Sequence, residues 1–168
     1  RVRTLLKLSD AYELYSPDSA LSYGQKALAL SEKLQFDLGI FWSIVLINKS
    51  LYILGNYALE LDYAFKAFPL GKKLNDPHTL GWSNGMLSDC YFNLGEYNTA
   101  LKYYREVIKM AEQNSLIDLF AIYSNGVPFF VSLHQYDSAL MYAKKGYQLF
   151  KQIPSLKKED YDSTYAKS

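Results

Sequence analysis

The sequence repeats itself at an interval of about 40 residues, and this repeat constrains the possible folds more than any other feature. The letters LGNY at residues 54–57 return as LGEY at residues 94–97. The tyrosine that ends each of these segments recurs once more as Tyr136. One repeat length before Tyr57 the chain has Pro17 instead of a tyrosine. Four units of the chain therefore follow one pattern.

Each unit contains two segments with helical periodicity, joined by a very short connection. Apolar or small residues recur at spacings of three and four in both segments, which is typical of a helix with one buried face. The first segment of the second unit has Ile44, Ile47, Leu51 and Leu54, and the second segment of the third unit has Ala100, Leu101, Tyr104, Val107, Ile108 and Ala111. A connection of Gly-x makes the two helices antiparallel neighbours, since glycine suits a left-handed helix end. Such hairpins must stack on one another to bury both apolar faces.

The repeat resembles that of tetratricopeptide-repeat proteins, which place a small residue late in the first helix, Gly-x-Tyr at the turn and a pair of spaced alanines on the second helix. The resemblance covers roughly residues 1–152. Gly-x-Tyr is intact in the second and third units, whereas the fourth has HQY at residues 134–136 and the first has YSP at residues 15–17. The long period is similar to that of repeats in bacterial regulators and in the sensory regions of some histidine kinases.

Glu60 departs from this pattern, because the corresponding positions of the other units hold alanine. An unpaired carboxylate in a buried slot is costly. We therefore expect the second helix of this unit to rotate slightly, so that Glu60 reaches solvent or a tyrosine hydroxyl.

The fold class that follows is all-α: a right-handed α-solenoid of stacked antiparallel helical hairpins, with about four repeats and a truncated fifth. We expect a single array over residues 1–168. Its repeats lie at about residues 1–35, 36–75, 76–115 and 116–154, and residues 155–168 are expected to begin a further repeat or a capping helix. We also expect the chain to be a fragment of a longer protein.

The composition argues against several functions. Lysine and arginine number 18 and aspartate and glutamate 17, so the net charge of +1 provides no field that would gather nucleic acid or an anionic membrane. The most apolar stretch, residues 38–47, is about half as long as a membrane-spanning helix, so no membrane insertion is expected. The single cysteine, Cys90, is expected to be a buried packing residue.

The motifs that carry chemistry are missing from the sequence. It has no Cys-x-x-Cys, no His and Glu at metal-ligand spacing, no glycine-rich phosphate loop and no Gly-x-Ser-x-Gly. We therefore expect a protein that is not an enzyme and that uses no cofactor, no metal and no catalytic residue.

In tetratricopeptide-repeat proteins one face of each first helix lines a concave groove that binds peptides, so the resemblance implies candidate ligand contacts on that face. The candidates are Trp42, Lys49, Tyr52, Trp82, Asp89, Phe92, Asn93 and Ser124. An alternative remains open for each tryptophan, which could instead wedge between stacked repeats, and Lys49 and Asp89 could be ordinary solvated charges. Pro128 is expected to kink its helix and to free the carbonyl of Ser124.

The function expected from these features is binding of a peptide or protein partner, as the sensory or regulatory part of a larger bacterial signalling protein such as a histidine kinase. The alternative is a structural scaffold or the regulatory arm of a transcriptional regulator, which self-associates or whose groove is filled by its own C-terminal segment. A homo-oligomer is a further expectation, because a solenoid end exposes apolar surface. The sequence assigns no compartment.

Overall fold

The computed structural model describes residues 1–113 and 116–152, and these residues form eight α-helices. In chain order the helices are α1 (Val2–Tyr12), α2 (Pro17–Lys33), α3 (Asp37–Ile53), α4 (Tyr57–Leu74), α5 (Pro77–Asn93), α6 (Tyr97–Ala111), α7 (Leu116–Ser132) and α8 (Tyr136–Gln152). The odd-numbered helices are the first helices of the predicted units, and the even-numbered helices are the second. The predicted segment 155–168 lies outside the described residues.

The hairpin turns have the backbone conformation that their sequences predict. Gly55 and Gly95 have φ angles of 71° and 80°, in the left-handed region that glycine adopts without strain. His134 occupies the same place in the fourth unit with a φ of 57°. Two further left-handed residues, Gln35 and Asn75, reverse the chain between successive units. Because these residues end their helices abruptly, each helix turns back against its neighbour.

Two compact units make up the described chain, Arg1–Met110 and the residues from Ala111 onward. In the first unit α1 packs on α2, α2 on α3, α3 on α4 and α4 on α5. In the second unit α7 packs on α8. Each hairpin thus buries its apolar stripes against the next element along the chain, as stacking of repeats requires.

The core of the first unit is centred on α3, α4 and α5. It contains Phe41, Ile44, Val45, Ala64, Ala67, Met86, Leu87 and Cys90. The alanines have no exposed surface, so their helices approach closely there. Cys90 is buried, as predicted.

Contacts between successive hairpins also depend on glycine, in a way that the repeat does not reveal. A Cβ atom added to Gly39 would lie 2.7 Å from Ser31 Oγ, and one added to Gly71 would lie 3.1 Å from the carbonyl oxygen of Thr79. Gly71 is the counterpart of Ser31 one unit later, and Thr79 is likewise the counterpart of Gly39. At each of these junctions one partner is therefore a glycine and the other carries a hydroxyl.

A side-chain donor joins the two helices within each of the first three hairpins. It lies on the first helix and binds the backbone carbonyl of the small-residue slot on the second helix. The three bonds run from Ser9 Oγ to Ala20 O (2.8 Å), from Asn48 Nδ2 to Glu60 O (2.8 Å) and from Ser88 Oγ to Ala100 O (3.0 Å). The fourth unit has Val127 at this position, which has no side-chain donor.

Candidate functional site

The first helices lie on the inner side of the first unit. Neighbouring first helices contact each other directly, α1 with α3 and α3 with α5, while no comparable packing joins α2 to α4 within residues 1–110. We call the predicted contact surface of α3 and α5 the inner face. It consists of Trp42, Lys49, Tyr52, Trp82, Asp89, Phe92 and Asn93.

The two tryptophans of the inner face lie together. The ring centroids of Trp42 and Trp82 are 6.0 Å apart with an interplanar angle of 76°, and both side chains are half-buried. His78 completes the group: its ring lies 5.5 Å from that of Trp42, and its Nε2 accepts a hydrogen bond of 3.3 Å from Trp82 Nε1. The tryptophans therefore pack against each other and also keep part of their surface exposed. Sequence analysis did not place His78 in this group.

Lys49 is held by carboxylates of α1 and of the residue that follows it. Its Nζ lies 2.5 Å from Glu13 Oε2 and 3.7 Å from Asp10 Oδ1, and about a third of the side chain is exposed. Exposed ion pairs contribute only about 0–1 kcal/mol. The pairing matters more because it neutralises the positive charge of the inner face.

Tyr52 and Phe92 lie near the hairpin turns, at the end of the inner face away from the tryptophans. Tyr52 is exposed, and its ring centroid is 6.5 Å from that of Tyr57. Phe92 is half-buried, with its ring 5.2 Å from that of Tyr97. Each candidate thus packs on the turn tyrosine of its own hairpin.

The expectation for Glu60 was wrong: the side chain is only 1% exposed and reaches neither solvent nor a tyrosine. Burial removes hydration from this carboxylate and raises the pKa of Glu60, and this effect is larger than the opposing effect of the nearby polar groups of Cys90 and Asn93 in the next unit. Glu60 Oε2 and Asn93 Nδ2 nevertheless lack hydrogen-bond partners. Asn48 lies behind them, with its Nδ2 3.9 Å from Cys90 Sγ.

Asp89 lies on the surface beside this group. Its side chain keeps contact with solvent, but the surrounding protein atoms reduce its hydration. This loss of hydration and the charge of Glu60 raise the pKa of Asp89 to about 7. We call Glu60, Asp89 and Asn93 the acid-amide cluster. Burial, followed by the charge of Glu60, also raises the pKa of the Cys90 thiol, so this thiol is not an activated nucleophile.

The surface between Trp82 and Asp89 is open. A Cβ atom added to Gly85 would meet no described atom within 4 Å. Trp82 and Asp89 are separated by about 10 Å along α5, as the helical rise gives for two turns. The inner face therefore has an aromatic end, an acidic end and free space between them.

Ser124 belongs to the second compact unit and is not part of the inner face defined above. Its side chain is exposed, and its Oγ donates a 2.9 Å hydrogen bond to the carbonyl of Phe120. Helix α7 extends through Pro128 to Ser132, and α4 likewise contains Pro69. The kink and the free Ser124 carbonyl stay predictions.

Neither a metal centre nor a membrane span is found in the described part of the chain. Within residues 1–113 and 116–152 no three His, Cys, Asp or Glu side chains are grouped to hold a metal ion. None of the helices described there is both long enough and apolar enough to cross a membrane.

Comparison with known proteins identifies the fold. The sequence matches no family model and no curated protein. The structure is similar to aspartyl phosphate phosphatase F from Bacillus subtilis (TM-score 0.81, 18% identity, covering 92% of this chain and 41% of that one). It is also similar to a Rap protein solved in complex with competence and sporulation factor (TM-score 0.77, 16% identity, covering 88% and 42%).

A third similar structure is a signal transduction ATPase with numerous domains from Pyrococcus horikoshii, which has a tetratricopeptide repeat sensor (TM-score 0.72, 25% identity, covering 89% of this chain and 24% of that one). The chain spans about two fifths of the length of the first two proteins. The predicted all-α solenoid of antiparallel hairpins is confirmed, and the chain has a tetratricopeptide-repeat fold.

Proposed function

We propose that this tetratricopeptide-repeat fold is a non-enzymatic module that binds a peptide or a partner protein on its inner face. The observation that carries the proposal is the combination on α3 and α5 of paired tryptophans, an uncompensated carboxylate at Asp89 and open space at Gly85. Aromatic anchors beside a few polar groups are typical of protein recognition sites.

The larger context that we propose is signalling, with this chain as the sensory or regulatory part of a longer bacterial protein such as a histidine kinase. Two of the similar structures support it: a Rap protein was solved with competence and sporulation factor, and the ATPase from Pyrococcus horikoshii has a tetratricopeptide repeat sensor. In both cases the region similar to this chain is less than half of the protein.

Selection of a random peptide library against the 168-residue chain tests the binding function. Peptides selected on the parent should bind the Trp82→Ala variant at least tenfold more weakly, because that change removes an aromatic anchor. They should bind the Gly85→Leu variant equally poorly, because leucine fills the open space. Gly85→Leu is expected to fold, because a Cβ atom at this position meets no described atom within 4 Å and leucine favours a helix more than glycine does.

The control is Tyr147→Ala, which removes an exposed aromatic residue of α8 in the second unit. Binding to this variant should equal binding to the parent. Peptides that bind the parent, Trp82→Ala and Gly85→Leu alike would overturn the inner-face proposal. If the selection yields no peptide and the chain instead forms dimers by light scattering, the scaffold function replaces it.

A further inference from the structure

We infer that the acid-amide cluster is a subsite for a cationic side chain, in which Asp89 pairs with the guanidinium group of an arginine in the bound peptide. The inference rests on the proposed function and specifies the chemistry of its ligand. It follows from three independent features of the inner face: its charge balance, its unpaired polar atoms and its open space.

The first feature is an excess of negative charge at one end of the inner face. The one cation of that face, Lys49, is already paired with Glu13. Asp89 and Glu60 take no part in the ion pairs found among the described residues, which join Lys49 and Lys73 to other carboxylates. A cation supplied by a ligand would therefore pair with Asp89, which no cation of the described residues neutralises, and would also be attracted by the charge of the enclosed Glu60.

The second feature is the pair of buried polar atoms without partners. Glu60 Oε2 is enclosed and has no hydrogen bond, and the whole side chain is 1% exposed. Few buried polar atoms in native proteins are left in this state, and each unsatisfied atom in a native structure needs an explanation. Because Glu60 lies behind Asp89, its charge acts on whatever binds Asp89, and Asn93 is placed at the edge of the same site.

The third feature is the space that a ligand needs. The backbone at Gly85 is bare, one helical turn from Asp89 toward Trp82. An arginine side chain laid across it would place its planar guanidinium at Asp89 and its apolar stem toward the indole of Trp82. Arginine suits this arrangement better than lysine, because its guanidinium binds carboxylates in a bidentate manner and also stacks on aromatic rings.

The experiment titrates the 168-residue chain with L-argininamide and, separately, with L-citrullinamide, which has nearly the same shape but no side-chain charge. Amide chemical shifts report the position of binding. Argininamide should shift the signals of Gly85, Asp89 and Asn93 and should bind at least tenfold more tightly than citrullinamide. Binding should also tighten between pH 6 and pH 8, as Asp89 loses its proton.

Two variants locate the effect. Asp89→Asn should weaken argininamide binding at least tenfold, and Glu60→Gln should weaken it several-fold because one of the two charges is lost. The matched control, Asp62→Asn, removes an exposed carboxylate of α4 and should leave binding unchanged. Equal affinity for the two probes, or an unchanged affinity in Asp89→Asn, would overturn the inference.

The library selection keeps this test distinct from that of the proposed function. Peptides without basic residues that still depend on Trp82 would leave the binding function standing and refute the arginine subsite. Selected peptides that contain arginine and bind Asp89→Asn at least tenfold more weakly would support both.

Discussion

Replacing Gly71 by alanine tests the physical account of how the hairpins stack. The added Cβ would clash with Ser83 Oγ and would lie 3.1 Å from the carbonyl oxygen of Thr79 and 3.3 Å from Ser83 Cβ. The carbonyl belongs to the backbone of α5 and cannot turn aside, so α4 and α5 must separate. Overpacking of this kind destabilises proteins by about 1–3 kcal/mol, and we expect a loss of that size.

The matched control is Gly81→Ala, on α5, where the added Cβ meets no described atom within 4 Å. There only helix propensity acts, so the free energy of unfolding should rise by about 0.5–1 kcal/mol. Urea denaturation followed by tryptophan fluorescence suits the comparison, because both tryptophans of the protein lie in the first unit, on α3 and α5.

A second substitution identifies the clash. Ser83 Oγ donates a 2.7 Å hydrogen bond to Thr79 O within its own helix and a longer one of 3.5 Å to Ala67 O of α4, so Ser83→Ala alone should cost at most about 1 kcal/mol. In the Gly71→Ala background it removes the clashing hydroxyl and should restore part of the loss, with a coupling energy of about 1 kcal/mol. If Gly71→Ala stabilised the protein as much as Gly81→Ala, close packing at this junction would not be what requires glycine.

Two further predictions concern stability. His134→Gly should raise the free energy of unfolding by about 1 kcal/mol, because it removes a left-handed histidine (φ 57°), and Gly95→His should lower it similarly; circular dichroism in urea measures both. Since burial raises the pKa of Glu60, the native state binds more protons than the unfolded state and loses stability as the pH rises above about 4.5. Glu60→Gln should therefore be more stable than the parent at pH 8 and nearly equal to it at pH 3, and an advantage that instead grew toward low pH would contradict the sign of this shift.

The helices and their turns could be predicted because they depend on local features that recur in every unit. Glycine at the turns and small residues on the second helices are visible in the sequence itself. The glycine junctions were missed, because aligning the units places Ser31 against Gly71 and Gly39 against Thr79. Each of these two differences, taken alone, suggests that the repeat is not kept. Taken together, they leave one glycine at each junction, so the two helices can approach closely there.

The candidate site was predicted less well, because its chemistry depends on contacts between units. The inner-face tryptophans were placed on equivalent positions, and they do lie together. Glu60 was misread because only its own hairpin was considered, whereas Cys90 and Asn93 of the next unit surround it. No periodicity within one unit can reveal partners that belong to the following one.

The departures from the repeat converge on the junction of the second and third units. Asn48 replaces the serine donor of the neighbouring units, Glu60 replaces alanine, and both lie beside Cys90, the residue that follows Asp89. A buried acid in a slot for alanine lowers stability at neutral pH, and nothing in the packing of the described residues requires it. In the proposed complex the guanidinium group bound at Asp89 offsets part of this loss of stability.

Binding of a cation to the acid-amide cluster should depend on pH. At pH 8 Asp89 is ionised, so a bound cation offsets its charge, whereas at pH 5 a proton on Asp89 already does so. Because a ligand that binds only the native state stabilises it, argininamide should raise the melting temperature more at pH 8 than at pH 5, while citrullinamide should raise it equally little at both. An argininamide effect of the same size at both pH values would mean that the cation does not act on these carboxylates.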